Sequence, residues 1–456
     1  MTQSKQQCDT LIRNALILTL NPQQDTYARG AIAIKGNTIV GLGDTDDMER
    51  QFDATEIVEA DDKIAMPGFI NTHNHTPLMI VRGMIEDMNF APAYTKSLPK
   101  VHSLTHDQTL ALSRLGALEM LRSGCTTVVD FYRHPQALRD AANTVGLRGV
   151  IGGRIHDVDM AELANGSHEH KNSVGESMLK ETMDLFDTQD AERDVRIRCD
   201  LGPHAADTCS KWLLEEVAKL AETYQGNIHT HLAQSRMEVQ HVLTRDGMKP
   251  HQLFDEVGLL NPRLISAHCV FLDDNDITEV GRSGMNVAHA PHQNARVGNI
   301  APILKLQKAG ANITLCTDTR SADMFEAMRL ALVSARILDK GKEPKAPEAL
   351  RWATTNPAKA LGLEGVNGCL QVGDKADLLL LDKYAPNIVP FIDGVGVLVH
   401  SGQSLNVNSV YIDGILRLKD GWPVGVDAAQ IAKDAQEVSA HLWATQGGKK
   451  AIAEAY

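Results

Sequence analysis

The sequence predicts an α/β protein in which eight parallel strands close into a (β/α)8 TIM-type barrel, with a small composite β-sandwich domain built from both ends of the chain. Three observations support this prediction. Strand-like runs alternate with helical stretches through the middle of the chain, hairpin signals occur near both ends, and polar clusters follow several of the middle runs. At 456 residues the chain is long enough for one barrel and one smaller domain.

The two ends of the chain are predicted to form antiparallel strands. A Gly36-Asn37 turn lies between two short apolar runs near one end, and an Asp413-Gly414 turn lies between two near the other. Dipeptides of this kind between apolar runs are typical of two-residue hairpins. We therefore expect residues 1–64 and 366–456 to form one composite β domain, with a helix near its end, and residues 65–365 to form the barrel.

The middle of the chain contains eight runs that predict the barrel strands. Each run is short, is rich in apolar or β-branched residues, and is separated from the next by a helical or loop segment. The predicted strands are Gly68–Asn71, Thr126–Phe131, Gly149–Ile155, Val195–Leu201, Asn227–His231, Leu264–His268, Asn286–Ala290 and Ile313–Thr317. Helical periodicity is clearest in Thr109–Arg122, Trp212–Tyr224 and Met324–Ile337.

Composition narrows the class of partner. The formal net charge is −13, with 45 Lys and Arg against 58 Asp and Glu, which argues against nucleic acid and other polyanions as ligands. The seven cysteines are scattered without a Cys-x-x-Cys pair, which favours reduced thiols and a cytoplasmic protein. No apolar run approaches the ~20 residues of a membrane span, and residues 1–10 lack the apolar core of a signal peptide.

Histidines and an aspartate follow four of the predicted strands. His73 and His75 follow the first strand, His231 ends the fifth, His268 ends the sixth and Asp318 follows the eighth. Because the carboxyl ends of parallel barrel strands meet at one face, we expect these side chains to converge. Imidazole and carboxylate groups are common ligands of divalent metals, so the sequence predicts a metal site at that face.

Six motifs spread over nearly the whole chain form a specific combination. They are Met66–His75, Leu121–Thr127, Ala267–Cys269, Asn299–Ile303, Thr317-Asp318 and Gly373–Leu378. In combination they resemble the amidohydrolase superfamily, within it the cytosine-deaminase-like and triazine-hydrolase-like (chlorohydrolase) branch of metal-dependent enzymes.

The resemblance implies a ligand set. It implies one divalent metal held by His73, His75, His231 and Asp318 in a (β/α)8 barrel with a composite β domain. The end of the fourth predicted strand, residues 199–203, contains no lysine that carbamylation would turn into a bridge between two metals. One metal is therefore expected rather than two.

The resemblance and the chemistry of the residues agree on their roles. A metal with an open position lowers the pKa of a bound water to about 7, which yields a nucleophile near neutral pH. Asp318 is expected to take the proton from that water and pass it to the leaving group, while His268 orients the nucleophile and stabilises the tetrahedral centre. Zinc suits three imidazoles and one carboxylate, and iron, manganese and cobalt also fit.

One position departs from the family pattern. Deaminases of this branch carry a glutamate three residues after the fifth-strand histidine, where it protonates the substrate ring, but this chain has Gln234 three residues after His231. An amide forms hydrogen bonds but does not carry the proton. Three explanations stay open: the substrate needs no ring protonation, His268 and Asp318 carry out all proton transfer, or a natural glutamate was changed deliberately.

Four residues are candidates for substrate contacts. They are Gln234, His204 in the loop after the fourth strand, His292 after the seventh and Arg320 two residues after Asp318. Histidine and arginine at strand ends are well placed to bind a substrate oxygen, although solvated loop residues give the same pattern.

These observations predict a metal-dependent hydrolase that cleaves a non-peptide C–N bond, by deamination or by amide or urea-type hydrolysis, in a small uncharged nitrogen heterocycle or related compound. Displacement of halide or alkylamine from an s-triazine-like ring is the alternative enzyme activity. The alternative outside enzymes is a degenerate barrel that binds metal and ligand without turnover. Gln234 suggests it, because this residue stands where the family carries a glutamate. The resemblance also implies a homo-oligomer, most simply a dimer.

Overall fold

The computed structural model describes residues 4–88, 91–99, 101–192, 196–319 and 322–446, without the side chains of 189–192. Its strands, in chain order, are β1 (Gln6–Leu18), β2 (Thr26–Lys35), β3 (Thr38–Asp44), β4 (Phe52–Glu59), β5 (Lys63–Pro67), β6 (Phe69–Asn74), β7 (Cys125–Tyr132), β8 (Arg148–Ile155), β9 (Ile197–Cys199), β10 (Gly202–Pro203), β11 (Ile228–Leu232), β12 (Leu264–His268), β13 (Asn286–His289), β14 (Asn312–Leu315), β15 (Leu378–Asp382), β16 (Val407–Ile412), β17 (Ile415–Lys419) and β18 (Trp422–Pro423).

Helices alternate with the middle strands. The α-helices are α1 (Thr45–Gln51), α2 (His106–Arg122), α3 (Pro135–Val145), α4 (Met160–Leu163), α5 (Asn172–Glu192), α6 (Lys211–Tyr224), α7 (Arg236–Asp246), α8 (Pro250–Glu256), α9 (Asp274–Arg282), α10 (Pro291–Ala295), α11 (Ile303–Ala309), α12 (Met324–Asp339), α13 (Ala346–Ala353), α14 (Thr355–Ala360), α15 (Gly394–Ser401) and α16 (Ala428–Thr445). Short 3-10 helices form at Thr76–Val81, Ile85–Asp87, Pro92–Tyr94, Val101–Ser103 and Ser404–Asn406.

Helix α6 illustrates how the sequence sets these boundaries. The Ser210 hydroxyl accepts a hydrogen bond from the backbone N–H of Leu213 and so caps the first turn. Leu213, Val217 and Ala221 are buried at intervals of four residues, which gives the helix one apolar face against the barrel. The helix ends at Gln225, whose backbone is left-handed.

The middle strands form the closed parallel barrel that the sequence predicts. One sheet has the order β10, β8, β7, β6 with β9 also paired to β8, and a second has the order β11, β12, β13, β14. A parallel bridge between Leu201 and Ile228 joins the two sheets on one side. On the other side, the His75 N–H donates to the Asp318 carbonyl at 3.2 Å and the Asp318 N–H donates to the His73 carbonyl at 3.1 Å. The ring of strands is therefore complete.

The predicted barrel strands agree with the observed ones within a few residues. The fourth strand differs most: the expected run at 195–201 is present as β9 and β10, and Val195 lies outside the described residues. The gap arises because Leu201 turns its backbone to the other neighbour, its N–H donating to the carbonyl of Asn227 on the side of β11. β9 and β10 are thus two parts of one barrel strand.

Both ends of the chain contribute to one nine-stranded sheet. Its order is β18, β17, β16, β15, β5, β1, β2, β3, and β4 also pairs with β1, along residues that precede those paired to β5. The contact between the N-terminal and C-terminal parts is the antiparallel pair of β5 and β15. The Gly36-Asn37 and Asp413-Gly414 turns connect antiparallel neighbours, as the sequence predicts. We propose the division into residues 1–64 with 366–456, and residues 65–365, as the sequence predicts; β5 in the composite sheet extends three residues past that boundary, to Pro67.

A buried arginine joins this sheet to the barrel. Arg148, at the start of β8, donates from Nε to the Asp377 carboxylate at 2.8 Å and from a terminal nitrogen to Asp413 at 2.6 Å. Both aspartates belong to the C-terminal part of the chain. The two ion pairs of Arg148 therefore fix the orientation of the composite sheet on the barrel.

Successive side chains of β8 point to opposite sides of the barrel wall. Val150 belongs to the cluster inside the barrel, together with Ile70 and Val129 of the neighbouring strands. Ile151 and Ile155 pack outward into the main core against the helices. Among the described residues no helix is long and apolar enough to cross a membrane.

Candidate metal centre and substrate cleft

Five predicted site residues converge at the carboxyl end of the barrel. His73 ends β6 and His75 follows it, His231 lies in β11, His268 ends β12, and Asp318 follows β14. All five side chains are buried. Ligand atoms of His73, His231 and His268 lie within 4.8 Å of one another, and so do those of His73, His75 and Asp318.

Hydrogen bonds to carbonyl oxygens orient two of the imidazoles. Nδ1 of His75 donates to the carbonyl of Phe131 at 2.9 Å, and Nδ1 of His231 donates to the carbonyl of His204 at 2.6 Å. Since each Nδ1 carries the proton, each neutral ring presents a lone pair at Nε2. These two Nε2 atoms face each other at 3.2 Å, and Nε2 of His73 is buried without a hydrogen-bond partner among the described residues. Three lone pairs converging in a buried space fit a cation.

Burial also sets the charge of these groups. Desolvation, reinforced by the neighbouring positive groups, holds the pKa values of His73, His75 and His231 well below their usual range. The imidazoles are therefore neutral at pH 7, which is the form that binds metal. Burial raises the pKa of the Asp318 carboxyl, an effect partly opposed by the nearby His268. These three neutral imidazoles do not balance the negative charge of an ionised Asp318 carboxylate, whereas a bound cation would.

His268 and Asp318 face each other across the candidate site. Nδ1 of His268 donates to Oδ1 of Asn294 at 3.0 Å, which turns Nε2 toward Asp318 Oδ2 at 3.6 Å. The other carboxylate oxygen of Asp318 lies 4.0 Å from Nε2 of His73. Both residues have left-handed backbones, with φ of 74° for His268 and 62° for Asp318. Strained backbone of this kind is typical of positions that a functional site requires.

A cleft of about 530 Å³ opens above these groups. Its walls come from the barrel strand ends, from the loop after β6 and from the loop after β13. The lining residues are His75, Leu78, Ala91, Pro92, Ala93, His102, Arg154, His204, His231, Gln234, His268, Gln293, Asn294, Val297, Asn299, Asp318 and Thr319. Such a mixed apolar and polar cleft beside converging ligands is typical of a small-molecule site.

The structure separates the four predicted substrate contacts. His204 and Gln234 line the cleft, and Nε2 of Gln234 has no hydrogen-bond partner among the described residues. His292 is not part of the described lining, and its ring lies 3.6 Å from Glu326 of α12, so this geometry gives no support for a substrate contact. Arg320 lies outside the described residues.

A carboxyl group does lie near Gln234, but it is held behind the cleft. Glu238 accepts hydrogen bonds from the backbone N–H groups of Ala233 at 3.0 Å and Gln234 at 2.8 Å. It is fully buried and is not part of the described lining, and burial raises its pKa well above the usual range. Glu238 thus shapes the turn that carries Gln234 and does not replace the missing acid.

Asn294, His102 and Arg154 are three of the lining residues that the sequence-based prediction missed. Asn294 and His102 come from loops whose approach to the site depends on tertiary packing, and no local pattern marks them. Arg154 could have been found from the sequence pattern. It lies four residues after Val150 on β8, and because side chains alternate along a strand, both point into the barrel. A charge at such a position is unusual enough to mark a site.

Comparisons with known proteins agree with this geometry. A sequence model described as the amidohydrolase family matches residues 64–416. The chain is similar to a 5-methylthioadenosine/S-adenosylhomocysteine deaminase of Syntrophobacter fumaroxidans, with 32% identity over 90% of this chain and 93% of the relative. It is also similar to a 5'-deoxyadenosine deaminase of Methanosarcina mazei, with 30% identity over 95% and 98% of the two chains.

Solved structures show the same architecture. An adenosine deaminase from Xanthomonas campestris with bound zinc superposes with a TM-score of 0.87, at 25% identity over 97% of this chain and all of the other. The atrazine chlorohydrolase of Arthrobacter aurescens with zinc has a TM-score of 0.79, at 22% identity over 94% of this chain and all of the other. The fold class and the family resemblance predicted from the sequence are confirmed.

Proposed function

This chain belongs to the amidohydrolase family, and we propose that it uses one zinc ion at His73, His75, His231 and Asp318 to hydrolyse the bond between a ring carbon and an amino group of a nitrogen heterocycle. One observation carries the proposal. The Nε2 atoms of His75 and His231 face each other at 3.2 Å while both Nδ1 positions donate to carbonyl oxygens. Two opposed lone pairs are repulsive in isolation and attractive when they share a cation.

The donor set supports zinc as that cation. Three neutral imidazoles and one carboxylate match its preference for nitrogen and oxygen ligands and leave a coordination position open. Bound there, zinc would supply an activated water near neutral pH and polarise the ring carbon that is attacked. The zinc named in the adenosine deaminase structure supports the same choice.

Asp318 and His268 are placed to manage the protons. Asp318 would take the proton that the attacking water releases and hand it to the departing amino group. His268 is held by Asn294, so its Nε2 faces the same space at 3.6 Å from the Asp318 carboxylate. From there it would orient the attacking oxygen and stabilise the charge of the tetrahedral carbon.

Gln234 narrows the class of ring that the enzyme can attack. Its amide would bind a ring nitrogen or oxygen, but it does not deliver a proton to the ring. The ring must therefore accept attack without a proton from this position, as an electron-poor aminopyrimidine or aminopurine does more readily. The deaminase names of the relatives, all directed at adenine compounds, support an amino-substituted ring of this kind.

A second candidate activity is favoured by the same residue. Displacement of chloride from an s-triazine-like ring needs no proton at the leaving group, since chloride departs as an anion, whereas an alkylamine would need one as ammonia does. Parallel measurements of ammonia and chloride release separate the two activities. Chloride release without ammonia release would replace deamination by dehalogenation.

The test of the proposal is turnover by the zinc-loaded protein. We expect ammonia release from a panel of aminopyrimidines, aminopurines and their nucleosides, loss of that activity with a chelator, and recovery with zinc. Metal analysis should give about one zinc per chain. A protein that binds zinc and turns over none of the panel would be the degenerate binding barrel instead.

Two coarser features of the protein are also proposed. We infer a cytoplasmic enzyme, because all seven cysteines are free thiols. We infer a homodimer from the family resemblance, and α12 supports it because Val333, Ile337 and Leu338 lie exposed on this one helix and offer apolar surface to a second copy. Light scattering of the wild type and of Ile337→Glu tests the dimer, since a charge in that interface should give monomers.

A further inference from the structure

Arg154 is a buried cation in the wall of the cleft. It lies near the carboxyl end of β8, points into the barrel, and is only 4% exposed. Its Nε has no hydrogen-bond partner among the described residues, and it lines the same cleft as His75, His204 and Asp318. None of the steps proposed for C–N hydrolysis uses this group.

A second arginine on the same strand shows how this fold treats a structural cation. Arg148 is also 4% exposed, but its guanidinium forms ion pairs with Asp377 and Asp413 at 2.8 and 2.6 Å. Among the described residues, no carboxylate forms an ion pair with Arg154. Its neighbours are Tyr132, whose ring centre lies 4.9 Å from the guanidinium carbon and whose phenol oxygen accepts a hydrogen bond from it, and the Tyr94 phenol and Asp318 carboxylate, which act on it through their charge.

A buried cation with no carboxylate paired to it is costly, and an anionic ligand bound in the cleft would offset that cost. A guanidinium presents its N–H groups in a fixed plane that matches the two oxygens of a carboxylate or a similar delocalised anion. The open side of Arg154 is the cleft, where the proposed substrate binds. The missing partner is therefore expected from the substrate.

We infer that the substrate carries an anionic oxygen group, a carboxylate or a ring oxyanion, directly beside the reacting ring, and that Arg154 binds it. This inference rests on the function proposed above and names the substrate class more closely. It departs from the uncharged compound that the sequence predicted. It also differs from a simple nucleoside, which carries no such charge on the ring.

The position of the charge explains why the anion should be close to the ring. Arg154 lines the same cleft as the predicted metal ligands His75, His231 and Asp318. His102 and His204 form further parts of the wall of that cleft. An anion that pairs with Arg154 lies next to the reacting carbon and not at the end of a long substituent.

The activity test uses a matched pair of substrates that differ in charge, 4-aminopyrimidine-5-carboxylate and 4-aminopyrimidine-5-carboxamide, with the zinc-loaded protein. We expect ammonia release to favour the carboxylate. Arg154→Met should lower kcat/KM for the carboxylate by roughly 30-fold or more and leave the carboxamide within a few-fold, whereas Arg154→Lys should recover part of the loss. Equal losses for both compounds would overturn the inference.

Arg133→Met is the matched control. Arg133 lies just after β7, is partly exposed and pairs with Glu181 at 3.3 Å, so its removal takes the same charge from the barrel without touching the described cleft lining. It should leave the preference for the carboxylate unchanged. A similar loss in this variant would mean that the general field of the protein, and not a site at Arg154, selects the anion.

A binding measurement separates this inference from the proposed activity. Calorimetry of the zinc-loaded protein with benzoate and benzamide needs no turnover. Benzoate should bind more tightly than benzamide to the wild type, and Arg154→Met should abolish that preference while circular dichroism shows a folded protein. Deamination of neutral rings together with no benzoate preference would overturn the anion site and keep the proposed function, whereas a benzoate preference without any deamination would do the reverse.

Discussion

Replacing Gln234 by glutamate tests why this chain lacks the acid that its family resemblance leads one to expect. The two side chains have nearly the same shape, and Nε2 of Gln234 has no partner among the described residues, so the change sacrifices no observed hydrogen bond at that atom. The side chain is 7% exposed, and the Glu238 carboxyl lies behind its own backbone N–H. Burial and that neighbour should raise the pKa of the new carboxyl, so a large fraction would be protonated near pH 7.

The magnitude follows from the chemistry of that proton. A well-placed general acid contributes about 10²–10⁴-fold to a rate. The surroundings of position 234 hold an amide and do not position an acid, so we expect an effect near the lower end of that range. The rise in kcat/KM for ammonia release from an aminoheterocycle should be roughly 10–100-fold. A second buried carboxyl near Glu238 should lower the free energy of unfolding by about 1 kcal/mol.

The assay is ammonia release from pH 5 to 9 by wild type, Gln234→Glu, Gln234→Leu and Gln293→Glu. Gln293 also lines the cleft, so its glutamate variant asks whether any added carboxyl has the same effect. The gain should appear only at position 234 and should disappear as the pH rises and the new acid loses its proton. An unchanged rate in Gln234→Glu, or an equal gain in Gln293→Glu, would refute the reasoning.

Three further predictions concern the metal ligands, the loss of folding stability at low pH, and the ion pairs of Arg148 that connect the barrel to the composite sheet. His73→Ala should reduce bound zinc and lower kcat/KM by more than the roughly 10–100-fold typical of changes outside the ligand shell, while His106→Ala, at an exposed position, should do neither, and a fully active His73→Ala would contradict the ligand assignment. Burial lowers the pKa values of His156 and His289 to about 3, so below pH 6.5 the unfolded chain takes up protons that the folded chain does not. The free energy of unfolding should therefore decrease as the pH is lowered, by about 2 kcal/mol for each of these histidines at pH 5, and His156→Gln should reduce the total decrease by about 2 kcal/mol in denaturant titrations. A pH-independent free energy of unfolding between 7 and 5 would contradict it. Arg148→Met should lower the free energy of unfolding by about 3–5 kcal/mol because it strands the buried Asp377, whereas Arg50→Met, which breaks an exposed pair with Asp47, should change it little; equal effects would mean that the buried joint is not structural.

The sequence predicted the barrel well because its signals are local. Each strand is a short apolar run, and His73, His231, His268 and Asp318 stand where such runs end. Parallel closure then brings those ends together, so convergence followed from topology alone. The same argument located His204 and Gln234 beside the cleft.

What the sequence could not supply depends on contacts between distant segments. Asn294 reaches His268 only through the path of the loop after β13, and His102 comes from a loop with no periodic pattern. Arg154 could have been found by its inward alternation, but whether it had a partner was not readable, because Arg148 on the same strand is paired by aspartates more than 200 positions away. Whether a buried charge has a partner of opposite charge therefore depends on the folded structure and is not visible in the local sequence.

The two backbone hydrogen bonds between residues 73–75 and Asp318 impose an order on assembly. During synthesis His73 and His75 leave the ribosome some 240 residues before Asp318. If these three residues are metal ligands as proposed, a nascent chain holds an incomplete set of ligands through most of its translation, and a cation bound early would lack the carboxylate. Metal loading would then come late and would join the first and last strands of the barrel after they have paired.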